Sequence, residues 1–187
     1  MDKRICFLYT ETTGLHQTHE PVSKKNLYTC ARMVTMNYVI GTYGITGFVE
    51  ELKIRHIIKP RCMYIPESTV KFHGITQDTA IAKGIDPVDV LTELKENLKN
   101  VHVIVSHNID FHLKTVLAEA VKYNIQMPDL SKYIIIDTIS FFHDYDYIKL
   151  SDLATKLAIK KIPDANIEII MVVFFKLYEK FKKQTLN

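Results

Sequence analysis

The chain is 187 residues long, 47% hydrophobic and 24% charged, with a formal net charge of +3. Those values fit one globular domain with a real core, spanning residues 1–187, and the mild positive balance permits a polyanion partner without demanding one. A membrane-spanning class is excluded, because the apolar run at residues 169–175 is too short to cross a bilayer.

In chain order, residues 5–10 are a short apolar run of strand formers that gives way to Gly14. Residues 31–42 alternate loosely and read as a second strand, and residues 48–58 as a third, stopped by Pro60. Gly41, Gly44 and Gly47 suit a hairpin turn between them. Residues 76–85 read as a short helix or turn. Residues 87–100 form a helix, with Val88, Leu91, Leu94 and Leu98 on one face and Pro87 in the first turn. The continuous apolar run at 101–105 is expected to be a strand buried on both faces. A helix follows at 110–123, with Leu113, Val116, Leu117 and Ala120 on one face, then a second buried strand at 133–136. Helices at 150–157 and 166–183 complete the chain. Strands come first and then alternate with helices, so an α/β sheet of mixed order is expected.

Three cysteines, Cys6, Cys30 and Cys62, are widely spaced and odd in number, which argues against a disulfide framework. The chain opens Met-Asp-Lys-Arg with no signal-peptide pattern, so an intracellular, cytoplasmic and reducing setting is expected. Lys176, Lys180, Lys182 and Lys183 cluster in the last helix, either as a solvated helix end or as a nucleic-acid patch.

Four short segments carry the chemistry: Tyr-Thr-Glu-Thr-Thr-Gly-Leu at 9–15, His-Gly-Ile-Thr at 73–76, Ser-His-Asn-Ile-Asp-Phe-His at 106–112, and Ile-Asp-Thr at 136–138. Their order and spacing resemble the DEDDh, or DnaQ-like, 3′–5′ exonucleases across nearly the whole chain. The resemblance implies a ribonuclease H-like mixed sheet, a three-stranded antiparallel start followed by parallel strands, flanked by helices. It also implies two-metal phosphodiester hydrolysis, in which four carboxylates hold two divalent ions about 3.5–4 Å apart and a histidine takes the proton of the attacking water.

The residues match that pattern incompletely. The first-motif glutamate is Glu11, but Tyr9 stands where the family has its first aspartate. His112 replaces the second-motif aspartate, although a histidine there could ligate a softer metal such as zinc or manganese. In the third motif Pro163 takes the place of the general base and Glu168 that of the last aspartate. Glu11 and Glu168 are thus the catalytic and metal-binding remnants. Two carboxylates in place of four should not hold two magnesium ions, so no cofactor is expected, and magnesium or manganese only if the domain is active. The resemblance further implies that Thr12, Thr13, Gly14 and Leu15, with His73, Gly74, Ile75 and Thr76, hold a terminal nucleotide, beside His107 and Asn108. From the residues alone, His107 reads as a structural hydrogen-bonder and His73 as a shaper of its loop. The expectation is an inactive exonuclease-like domain kept to bind nucleic acid, a single strand or 3′ end, or else a protein partner. The alternative is an active 3′–5′ exonuclease whose rearranged site recruits Asp110, Asp137 or Asp164.

Overall fold

A computed structural model describes residues 2–141, 147–159 and 166–184, the last five of these in backbone only. The strands are β1 (Lys3–Thr12), β2 (Met33–Gly44), β3 (Gly47–Ile57), β4 (Val103–Ser106) and β5 (Ile134–Asp137). The helices are α1 (Glu67–His73), α2 (Gln77–Lys83), α3 (Pro87–Asn97), α4 (Ile109–Lys122), α5 (Leu150–Lys156) and α6 (Asn166–Gln184). The sheet order is β3-β2-β1-β4-β5. β1, β2 and β3 pair antiparallel, whereas β1 with β4 and β4 with β5 pair parallel. This is the mixed sheet that the resemblance implies, three antiparallel strands followed by parallel ones.

Side chains alternate between the two faces of the sheet, and each face has its own core. Cys6, Leu8, Met36, Tyr38 and Ile40 point to the side covered by α3 and α4, where they meet Val90, Leu91, Leu94 and Val116. Phe7, Val39 and Val105 point to the other side and pack on Ile167, Ile170 and Phe174 of α6. Phe7 is fully buried there, edge-on to Phe48 and Phe174 with ring centroids 5.6 and 5.5 Å away. Burying such a ring contributes about 1.5–3 kcal/mol.

A one-residue bulge in β3 decides what the α6 face carries. The pairing Gly41↔Glu50 is followed by Ile40↔Leu52, which leaves Glu51 unopposed. Gly41 is required at this point, because a Cβ there would lie 2.3 Å from the Val49 carbonyl oxygen. Beyond the bulge, Lys53 lies level with Val39, and Arg55 with Asn37, on the face that also carries Phe7, Tyr9 and Glu11.

A buried ion pair ties the start of β2 to α4. Arg32 Nε donates to Glu119 Oε1 at 2.6 Å, and the Met33 N–H donates to the same oxygen at 3.1 Å. Glu119 is only 2% exposed, so removing either partner strands a buried charge.

One element was missed and one expectation needs correction. α1 was not expected from the sequence: it has no apolar stripe and buries none of its residues, so it leaves no periodic signal. It ends at Gly74, whose φ of 73° supplies the left-handed cap and whose N–H donates to the Val70 carbonyl at 2.7 Å. β5 is the sheet edge rather than a buried strand, with Ile134 55% and Ile135 36% exposed. An apolar run gives a strand but not its rank in the sheet. Cys6, Cys30 and Cys62 are free thiols, and no helix among the described residues is long and apolar enough to cross a membrane.

Candidate functional site

The α6 face of the sheet opens into a cleft of about 720 Å³. β1 supplies Tyr9 and Glu11, β2 Thr35 and Asn37, and β3 Arg55. The end of α1 brings Phe72, His73 and Gly74, followed by Ile75, while α5 brings Asp152 and α6 Asn166. The cleft thus lies where β1 ends and α6 begins, and the sequence order of the motifs is what assembles it.

Glu11 sits on the cleft floor. Asn166 Nδ2 donates to its Oε1 at 3.1 Å, and the Tyr9 hydroxyl hydrogen-bonds to the same carboxylate. Burial first, and then the charge of Glu11 and the hydrogen bond to it, push the Tyr9 phenol far above its usual range. Tyr9 is therefore a neutral donor to the carboxylate where the family motif has an anionic ligand.

His112 is 4% exposed and is not among the residues lining the cleft. Its ring packs on Tyr9, with centroids 4.7 Å apart, and its Nδ1 takes the Thr10 N–H at 3.1 Å and meets the Thr10 hydroxyl at 2.9 Å. A backbone N–H can only donate, so Nδ1 must carry the lone pair. Burial lowers the His112 pKa to about 3, with only partial relief from a backbone hydrogen bond to His107. His112 is a neutral ring held by Thr10.

Glu168 also lies outside the cleft lining, although on the same side of the sheet. It bridges Lys53, at 2.8 Å, and Arg55. Burial raises the Glu168 pKa, but the two cations outweigh it and hold the carboxyl below its usual value. At the start of α6 it is Asn166 that touches Glu11, not Glu168. Pro163 and Asp164 lie outside the described residues.

The remaining expected residues divide between cleft and scaffold. His73, Gly74 and Ile75 line the cleft, and the Ile75 N–H donates to His73 Nδ1 at 3.1 Å. Thr76 caps α2 by accepting the Thr79 N–H at 3.1 Å. The loop at 12–15 is tied to β2: the Thr13 N–H donates to the Arg32 carbonyl at 2.9 Å, and Thr13 Oγ1 accepts the Arg32 N–H at 3.0 Å. The Thr12 hydroxyl donates to the Gly14 carbonyl at 2.6 Å, and Leu15 is 81% exposed. His107 is buried and joins Thr138, at 2.8 Å, to the Ile148 carbonyl, at 2.7 Å. Asn108 holds φ 60° at the turn into α4.

The acids proposed for a rearranged site are placed as follows. Both Asp137 oxygens accept backbone N–H groups, from Asn108, Ile109 and Ile139, each at 2.9 Å. Asp137 is thus the anionic cap of α4. Asp110 is exposed on that helix. Of the expected lysine cluster, Lys176 donates to the Leu157 carbonyl at 2.9 Å. Among the described residues no three His, Cys, Asp or Glu side chains gather as a metal ion requires. Among the described residues, the donors on the cleft floor do not make up a two-metal centre.

Asn37, Arg55, Phe72, Asp152 and Asn166 were not anticipated from the sequence. Strand alternation in Leu52-Lys53-Ile54-Arg55 separates the two faces, but the bulge and the position of α6 decide which face lines the cleft.

Comparisons with known proteins bear on the family and the fold. The family model RNase_T, described as an exonuclease, covers residues 7–166. No curated protein matches the sequence. Product-bound exonuclease I superposes with a TM-score of 0.73 at 14% identity, over 96% of this chain and 44% of that one. E. coli exonuclease I in complex with a dA16 oligonucleotide gives 0.69 at 15% identity, over 95% and 41%. An SSB/exonuclease I complex with an inhibitor gives 0.70 at 14%, over 92% and 41%. This chain spans less than half the length of those proteins, and at such identity the likeness concerns the fold. The family match and the sheet order agree, and the chain belongs to the DEDDh, DnaQ-like exonuclease family with its ribonuclease H-like fold.

Proposed function

We propose that residues 1–187 act as one exonuclease-like domain that holds single-stranded nucleic acid, by its 3′ end, in the cleft without hydrolysing it. One observation carries this reading. Among the described residues, the groups hydrogen-bonded to Glu11, the glutamate kept in the first motif, are Tyr9 and Asn166, both neutral, where the family chemistry needs anionic neighbours. Among the described residues, two divalent ions would have to be held with fewer grouped carboxylates than the family's four to balance their charge. The rim supports binding: Phe72 lines the cleft and is 87% exposed, a surface on which a base can stack. The oligonucleotide carried by the E. coli relative points to the same class of ligand.

A protein partner is the second reading, favoured by the exonuclease I relative seen with SSB. The deciding experiment incubates the protein with a labelled single strand in magnesium or manganese, then sizes the recovered strand. Full-length recovery with retention on the protein supports the proposal. Shortening from the 3′ end that Glu11→Gln abolishes establishes the active alternative, and failure to retain the strand leaves the protein partner.

A further inference from the structure

The sheet has two edges, and they differ in what they offer another strand. The β3 edge carries Glu50, Glu51, Lys53 and Arg55 and is bent by its bulge, features that discourage edge pairing. The β5 edge runs beside β4 without a bulge and carries Ile134, Ile135 and Ile136 before its first charge, Asp137. Ile134 is 55% and Ile135 36% exposed. We infer that β5 is the seat of a two-fold contact with a second copy of this chain, in which the two β5 strands pair antiparallel about Ile135.

The open backbone groups of β5 select a second copy. The Ile134 N–H donates to the His102 carbonyl at 2.9 Å, so in the parallel pattern Ile134 and Ile136 turn their peptide groups toward β4. Ile135 then turns its N–H and its carbonyl to the open edge, and so do Tyr133 and Asp137 on either side. Two of the flanking groups are already spent within the chain: the Tyr133 N–H donates to the Leu130 carbonyl at 3.1 Å, and the Asp137 carbonyl accepts the Ser140 hydroxyl at 2.7 Å. The Tyr133 carbonyl, both groups of Ile135 and the Asp137 N–H remain, without a partner among the described residues. That set is its own complement under a two-fold axis through Ile135 normal to the sheet. Ile135 exchanges both of its bonds with its copy, and each Asp137 N–H meets the Tyr133 carbonyl of the other chain. An axis through Ile134 or Ile136 makes fewer bonds.

The side chains agree with the backbone. Ile135 shares the α4 side of the sheet with Ile104, and the axis sets it against itself. Ile134 and Ile136 share the α6 side with Val103 and Val105, and the axis sets each opposite the other, so these cross-strand pairs are all apolar. The exposed Lys132 falls beside the position opposite Asp137, which brings opposite charges together at both ends of the contact. The contact is isologous, each copy giving the same patch. An axis normal to the sheet also keeps both clefts on one side of a continuous sheet.

The test is sedimentation equilibrium of the full chain from about 1 μM to about 1 mM, without nucleic acid. Wild type passes from monomer to dimer across the series. Ile135→Lys sets like charges face to face and weakens association about tenfold or more, and Ile135→Glu does the same. An equimolar mixture of Ile135→Lys with Ile135→Glu recovers the dimer, because the axis brings residue 135 of each chain together. Urea midpoints show that each variant folds. Should Ile135→Lys fail to fold, Ile134→Lys at the more exposed position carries the test, with the same loss expected. A wild type that stays monomeric overturns the proposal and leaves the edge to an extended segment of a different protein. A dimer that the folded lysine variant leaves intact overturns the β5 site. Loss in both single variants without recovery in their mixture overturns the axis at Ile135.

Discussion

Replacing His112 with Asn isolates the titration of one buried ring. In the folded chain His112 takes the Thr10 N–H on Nδ1, and burial lowers its pKa from 6.5 to about 3. The unfolded chain therefore binds this proton first as pH falls. Stability from the neutral ring is full above pH 6.5 and drains away between 6.5 and 3, at about 1.36 kcal/mol per pH unit once the unfolded histidine is protonated. Between pH 7 and pH 5 the loss from His112 alone comes to about 2 kcal/mol. Asn can accept the same Thr10 N–H through Oδ1 but does not titrate. Burial also lowers the His107 and His16 pKa values, but their contributions cancel in a comparison of the two proteins. Urea unfolding at pH 7, 6 and 5 should show wild type losing about 2 kcal/mol more than His112→Asn. Parallel losses would mean that the ring is solvated and free to face the cleft, and the account of His112 as a buried acceptor would be wrong.

Other consequences are more direct. Glu119→Gln leaves Arg32 without its buried counter-charge and should lower unfolding free energy by about 3 kcal/mol, read from the urea midpoint. Tyr9→Asp with Asn166→Asp sets two new carboxylates beside Glu11, and manganese should then raise the melting temperature of the double variant but not of wild type. At a manganese concentration a hundredfold above its dissociation constant, the gain is about 2.7 kcal/mol. An unmoved melting temperature would mean that Tyr9, Glu11 and Asn166 do not converge on one ion.

The fold was legible because its signals are local. The apolar run at 101–105, the spaced Leu91, Leu94 and Leu98, and the glycines near the hairpin each specify an element without knowledge of the rest. The candidate site was half legible. The motif order located Glu11 and the His73-Gly74-Ile75 loop on the cleft, since those segments lie at element ends that the chain order fixes. Arg55 was hidden because its face depends on a bulge opposite Gly41. Counting back from the Gly44↔Gly47 pair without that bulge would oppose Asn37 to Ile54 and turn Arg55 to the α3 side. Asn166 was hidden because spacing alone aligned Glu168 with the last family acid. The helical turn instead aims residue 166 at Glu11 and residue 168 at β3.

Whether the domain holds or cuts a strand is decided most directly by one measurement. A 5′-labelled single strand is incubated with the full chain in magnesium and, separately, in manganese, the complex is captured, and the bound strand is sized on a denaturing gel. The account predicts a captured strand of unchanged length, in wild type and in Glu11→Gln alike. A ladder of strands shortened from the 3′ end in wild type, and absent in Glu11→Gln, would contradict it.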